Sequence, residues 1–192
     1  MDPTRILEAD HRQIEELFEQ IDAASGEARV PLVQRLLSAL RAHMTLEEEV
    51  VYPVIVKVTG DDSEVENKNE HDVTRANLDE AESFLDGEPG LGAAMAAAGA
   101  AVAHHVHEEE TDVFPKVREH GRELLQQMLT SFVHRRLALG MAVEGDALAA
   151  ALSTDELLEH AARLDVASGE HVQHDELARH VAAKLIATQH GG

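Results

Sequence analysis

The sequence predicts an all-α protein, an up-down-up-down four-helix bundle carrying a helical extension at its C-terminus. Three observations lead there. Ala, Leu, Glu and Val dominate the chain while aromatic residues make up only 3% of it, which favours helix and disfavours a β-sandwich. Apolar residues recur at three- and four-residue spacing in successive segments, as on one buried helical face. Breaks rich in Gly, Pro and Asp divide the first part of the chain into four long units joined by short turns, the pattern of a bundle.

The first unit carries Leu7, Ile14, Leu17, Phe18 and Ile21 on one stripe and closes at Ser25-Gly26. The second starts at Pro31, where a proline suits the first helical turn. It presents Leu36, Leu40, Leu46 and Val50 and runs to Thr59-Gly60. Asp61-Asp62-Ser63 is the expected cap of a third helix, which carries Val65, Leu78 and Leu85 behind a polar first half and ends in the Asp86–Gly92 run. A fourth, Ala-rich helix continues to His120-Gly121. These four units place the bundle at residues 1–120. Residues 121–152 are expected to hold an additional helix from Arg122 to Val143, packing on the bundle or forming a dimer contact. Residues 153–192 form a small module, opened by Ser153 with Glu156 placed for a capping box.

Charge and composition exclude several classes of function. Against 37 acidic residues stand 16 basic ones, a formal charge of −21, which repels nucleic acid and anionic membranes. There is no cysteine, so disulfides, thiolate zinc sites, iron–sulfur clusters and cysteine nucleophiles are out. The start, MDPTRILEADH, lacks a basic, apolar leader, and the stretch around GLGAAMAAAGAAVA is too short and weakly apolar to span a bilayer. A cytoplasmic protein is expected. The 13 histidines exceed what packing needs.

Those histidines fall into an internal repeat. HMTLEEEVVYP, from His43 to Pro53, matches HVHEEETDVFP, from His105 to Pro115: each has Glu four residues after the His and an aromatic-Pro pair ending at the tenth position. The segments around His11 and His71 match in the same way, and the two offsets, 62 and 60 residues, nearly agree. This is a duplicated helix pair. In each half one helix carries a lone His and the next carries His-x-x-x-Glu.

Residues four apart share a helix face, so His43 points with Glu47 and His105 with Glu109. His43 shares the stripe of Leu36, Leu40, Leu46 and Val50, and His11 that of Leu7, Ile14 and Phe18, so both face inward; His71 lies seven before Leu78. A lone core histidine is ordinarily a hydrogen-bonded packing residue, and a Glu run is ordinarily solvated. That reading fails for the set, because two carboxylates on apolar faces need compensating positive charge and no Lys or Arg occupies a matching inward position. Metal cations compensate both. Six ligands oversupply a tetrahedral zinc site, while imidazole with carboxylate suits iron or manganese, and each carboxylate can bridge two ions.

The pattern His11, His43-x-x-x-Glu47, His71, His105-x-x-x-Glu109 resembles the hemerythrin-like (HHE cation-binding) family over about residues 1–120. The resemblance implies two non-haem iron ions per chain, oxo- or hydroxo-bridged, held by His11, His43, Glu47, His71, His105 and Glu109, with the two Glu bridging. Oxygen carriers of that family have a fifth histidine four residues after the one on the third helix. Arg75 stands there instead, which favours peroxide or nitric oxide chemistry over reversible oxygen carriage.

Several neighbours compete with this set. His104 and Glu108 share the four-residue spacing, but alignment on Pro115 selects His105 and Glu109. His107, Glu48, Glu49 and Glu110 read as solvated or as supports behind the ligands. Tyr52, the only tyrosine, is a candidate ligand or redox relay; a regular helix would turn it about 140° away from Glu47, unless Pro53 re-aims it. Its counterpart Phe114 has no hydroxyl. A ferritin-like carboxylate site needs Glu-x-x-His on two helices, and the bundle offers only Glu8-x-x-His11.

The last segment weakly resembles the helix–extended–helix module of Rho N-terminal and SAP-like families. Its linker, ASGEHVQH, places Glu170, His171 and His174 where basic residues would be wanted, and Ser153–His190 carries seven acidic against three basic residues, which argues against nucleic acid. The expected function is a di-iron protein reacting with peroxide, nitric oxide or dioxygen, as a peroxidase or catalase-type enzyme. The alternatives are a reversible oxygen binder or sensor, and iron storage or metal binding without catalysis.

Overall fold

The computed structural model describes residues 2–85, 90–167 and 172–190. All regular structure among them is helical, and no helix among them is long and apolar enough to cross a membrane. The chain divides into two compact units, Pro3–Leu125 and one formed mainly by Gln126–Gly192.

The first unit is the bundle. Helix α1 (Pro3–Ala23) is followed, after a short 3-10 turn, by α2 (Arg29–Leu46), which passes through a widened turn at Glu47–Val51 into α3 (Tyr52–Thr59). The second half repeats the plan: α4 (Asp61–Ser83), α5 (Leu91–Glu108), a widened turn at Glu109–Val113, and α6 (Phe114–His120). α1 packs on α2, α4 on α5, and α2 on α4, while α3 packs on both α4 and α6. Ile14, Leu17, Leu36, Leu40, Met44, Leu78, Met95, Ala98, Val102 and Val106 belong to one continuous buried cluster. A Cβ at Gly99 would sit only 3.4 Å from the Phe18 ring, so the Ala-rich α5 is narrow where an aromatic lies across it.

Three local expectations are corrected. α2 begins at Arg29 rather than at Pro31. The residue before α4 is Gly60, at φ 95°, and Asp61 is already inside the helix, so Asp61-Asp62-Ser63 does not precede it as a cap. Val65 is 61% exposed. The buried stripe of α4 is Asn67, His71, Thr74, Leu78 and Ala81, a regular four-three-four-three series whose first three members are polar, so apolarity alone pointed to the wrong face. Most of the Asp86–Gly92 turn lies outside the described residues.

α7 (Arg122–Ala138) spans the division between the units. It ends five residues before the expected Val143. Gly140, at φ 71°, takes the left-handed position that closes a helix, with Met141 N–H bonded to the Arg136 carbonyl and Gly140 N–H to that of Leu137. Arg136 then donates to the Ala142 carbonyl at 2.8 and 3.0 Å. A helix absent from the sequence reading, α8 (Gly145–Ala151), precedes α9 (Thr154–Arg163) and α10 (His174–His190), which packs on both. The capping box at Ser153 and Glu156 is present in both directions. Glu170 and His171 lie outside the described residues. His174 is half-buried, and its ring joins Thr154 Oγ1 and the Ala149 carbonyl, each at 3.0 Å.

Candidate metal centre

The six residues singled out from the repeat meet in the interior of the first unit, every one of them buried. His11 comes from α1, His43 from α2, His71 from α4 and His105 from α5, while Glu47 and Glu109 each open a widened turn. The imidazoles form two pairs: Nε2 of His11 and His43 are 3.1 Å apart, and those of His71 and His105 are 3.0 Å apart. Within each pair the rings stand nearly edge to face. Two nitrogens bound to one first-row metal at about 2.1 Å and at right angles would be about 3 Å apart.

Each carboxylate spans both pairs. Glu47 presents Oε1 to His43 Nε2 at 3.1 Å and Oε2 to His71 Nε2 at 3.4 Å. Glu109 presents Oε2 to His11 Nε2 at 3.4 Å and Oε1 to His105 Nε2 at 3.7 Å. None of these four oxygens accepts a hydrogen bond, although both carboxylates are fully buried. Two groups of close ligand atoms result, His11–His43–Glu47–Glu109 and Glu47–His71–His105.

Behind the rings stand four more acids. His11 Nδ1 meets Glu110 at 2.8 Å, His71 Nδ1 meets Glu48 at 3.0 Å, and His105 Nδ1 meets Glu70 at 2.7 Å. His43 Nδ1 lies 3.6 Å from Asp10 Oδ2, just beyond hydrogen-bond length. A carboxylate only accepts, so each Nδ1 bonded to one carries the proton and leaves Nε2 as a lone pair aimed inward. The four inner carboxylate oxygens thus meet no hydrogen-bond donor, and Tyr52 Oη meets the Nε2 atoms of His71 and His105 instead. Protons or metal cations can answer those carboxylates, and a donor set of imidazole and carboxylate fits metal binding.

Without metal, protons take up the strain. Burial works against the charged form of His43, but Glu47 and Asp10 outweigh it and push the imidazole up to about 10. His105, also opposed by burial, is raised to about 9 by Glu109 and Glu70. Burial tends to raise Glu47, yet His43 and His71 hold it well below the usual carboxylate range.

Tyr52 is brought to the centre by a widened turn just ahead of Pro53, the re-aiming that the sequence left open. Its N–H bonds to the Glu47 carbonyl five residues back, and this extra residue in the turn removes most of the misdirection a regular helix would impose. Pro53 has no N–H to give the Glu49 carbonyl and its ring crowds that group, so the helix widens ahead of it. Pro115 does the same beyond Glu109, with Phe114 N–H bonded to the Glu109 carbonyl. Tyr52 Oη lies 2.9 Å from His71 Nε2 and 3.4 Å from His105 Nε2. Burial first, then the Glu47 and Glu109 charges, raise this hydroxyl well above its ordinary value. Phe114 instead stacks on His11, ring planes 10° apart.

Arg75 does not enter the centre; it is partly exposed and bonds Glu48 at 2.8 Å, fixing the acid that orients His71. Arg12 grips Glu110 in the same manner behind His11. Glu48 and Glu110 therefore serve as supports, whereas Glu49 and His107 are exposed. Asp10 and Glu70 were missed, though each directly precedes a lone His at the repeat offset. A small cavity adjoins the four rings, walled by Ile14, Leu40, Met44, Val102 and Val106, with Thr74.

The family model described as Hemerythrin HHE cation binding domain matches residues 2–117, more than half of the chain. No curated protein and no solved structure matches it.

Proposed function

Because the chain belongs to the hemerythrin HHE cation-binding family, we propose that its buried histidines and glutamates hold two iron ions for reaction with a small oxidant. His11 and His43 would serve one ion and His71 and His105 the other, with Glu47 and Glu109 bridging them. The observation that carries this reading is the four unpartnered oxygens of two fully buried carboxylates, which no protein donor answers and which lie between two imidazole pairs. A metal pair supplies, when bound, Lewis acidity and one-electron redox equivalents to a small molecule in contact with it.

The chain's own groups define what that molecule can be. An apolar wall beside the rings and a strongly acidic chain admit something small and uncharged, such as hydrogen peroxide, nitric oxide or dioxygen, and repel anions. Glu110, Glu48 and Glu70 fix the tautomer and orientation of their imidazoles. Tyr52 Oη sits on the His71–His105 side, the side where Arg75 replaces a possible further histidine. We assign it as the ligand that completes that side, with a redox-relay role as the alternative. With Arg75 standing where that further histidine would be, peroxide chemistry of the peroxidase or catalase type is favoured over reversible oxygen carriage.

Iron analysis, absorption spectra and peroxide consumption test the reading together. The expected result is about two irons per chain, lost in Glu47→Ala or Glu109→Ala, and peroxide consumed by the iron-loaded chain, with release of oxygen if it acts alone (catalase type) or only with an added reductant (peroxidase type). One tightly held zinc would overturn the cofactor. An oxygenated species reversed by purging, with no peroxide consumed, would replace the enzyme reading with a reversible oxygen binder.

A further inference from the structure

A third cluster of ligand atoms lies outside the buried centre. Glu70, His104 and Glu108 bring one carboxylate oxygen, one imidazole nitrogen and one further carboxylate oxygen within 4.8 Å of one another. His104 Nε2 is 3.3 Å from Glu70 Oε1 and 3.4 Å from Glu108 Oε1. The side chain of His104 is 64% exposed, that of Glu108 37% and that of Glu70 18%. His104 and Glu108 are one turn apart on α5, a two-point chelate on a single helix face, and Glu70 closes it from α4.

Glu70 ties this cluster to the interior. Its Oε1 faces His104 while its Oε2 holds His105 Nδ1 at 2.7 Å. One carboxylate is thus shared between a surface imidazole and a buried one.

The duplication supplies an internal control. At the repeat offsets Glu70 corresponds to Asp10, His104 to Ala42 and Glu108 to Leu46. Both halves keep the acid behind the buried histidine, but only the second adds an exposed His and Glu. In the first half the same flank ends in Leu46, which is fully buried. Stability gives little reason for the difference, since an exposed ion pair of this kind adds under about 1 kcal/mol.

We propose that Glu70, His104 and Glu108 form a separate surface site for a first-row divalent cation, and that it loads the buried centre by way of Glu70. An imidazole with two carboxylates selects iron, manganese or zinc over calcium and magnesium, which prefer all-oxygen shells. Three protein ligands leave positions for water, so the cation exchanges readily, and the chain's charge of −21 concentrates cations near it. The loading role rests on the dinuclear reading above; the surface site itself does not.

The full chain, stripped with a chelator and titrated with Mn2+, tests this by the electron spin resonance of the free aqua ion. The unaltered chain is expected to take up two tight equivalents and one weaker one, and the double variant His104→Ala, Glu108→Gln only the two tight ones. Equal uptake by the two proteins overturns the surface site. Glu47→Ala keeps the weak equivalent while losing tight binding; if the unaltered chain shows the weak equivalent alone, the dinuclear reading fails and the surface site stands. Fe2+ loading of the buried centre, followed by absorbance, should slow at least fivefold in the double variant with the final iron content unchanged. Equal loading rates overturn the relay.

Discussion

Stripping the metal should make the bundle's stability fall steeply with rising pH. In the metal-free chain His43 is raised to about 10 and His105 to about 9, in each case by carboxylates that outweigh burial. A raised value in the folded state means that folding favours the protonated ring. Its stabilisation is therefore whole below about pH 6.5, the unfolded value, and is lost as pH climbs through about 9 and 10. At roughly 1.4 kcal/mol per tenfold in proton affinity the ceilings are about 5 kcal/mol for His43 and about 3 for His105. Both draw on Glu47 and Glu109, so the combined loss should be about 3–5 kcal/mol rather than their sum. With a urea dependence of roughly 1–3 kcal/mol per molar, the midpoint should drop by about 1–5 M between pH 6.5 and 9.5. Tyr52, the only tyrosine in a chain without tryptophan, gives an intrinsic fluorescence signal from inside the bundle. The metal-loaded chain should behave oppositely, because metal displaces those protons and binds more tightly as pH rises. Level midpoints in the stripped chain, or a parallel fall in the loaded one, would refute this account of what balances the buried carboxylates.

Three further outcomes are expected. Glu110→Gln or Glu48→Gln should weaken metal binding about 10–100-fold without unfolding the chain, because His11 or His71 loses the acid that sets its tautomer; chelator competition measures it. Tyr52→Phe should cost no more than about 1.5 kcal/mol, the worth of one buried hydroxyl contact, and should abolish any tyrosinate-to-iron band in the visible spectrum of the loaded protein. An unchanged spectrum would remove Tyr52 from the ligand set. Gly121→Ala should destabilise the bundle by about 1–3 kcal/mol in thermal unfolding, since its Cβ would lie 2.8 Å from Val58 Cγ2 and 3.0 Å from the Val117 carbonyl.

The helical bundle and the convergence of the six histidine and glutamate side chains were legible because both depend on spacing. His43 and Glu47 had to share a face in any helix, and the apolar neighbours of His11 and His43 fixed which face was inward. What escaped has a common physical origin. The i→i+5 bond that brings Tyr52 inward leaves no mark on a period of 3.6, and its one signal is the Pro53 and Pro115 that follow. The face of α4 was misjudged at Val65 because its buried stripe opens with Asn67, His71 and Thr74, polar residues that leave no apolar signal in the sequence. Asp10 and Glu70 hid among 37 acids, although their place at the repeat offset was visible.

The wiring of those supporting acids explains why the centre needs both halves of the duplication. Asp10 lies behind His43 and Glu70 behind His105, each within its own half. Glu48, from the first half, orients His71 in the second, and Glu110, from the second, orients His11 in the first. The inner carboxylates cross in the same way, each facing one imidazole of either half. A single helix pair would therefore hold one imidazole with no acid to set its tautomer and one buried carboxylate facing a single ring. The cost of leaving such a carboxylate unanswered is several kcal/mol, enough to open a lone pair of helices. The repeat is thus a condition for burying this much charge, because only the two halves together bring both carboxylates against four imidazoles, where protons or a cation can answer them.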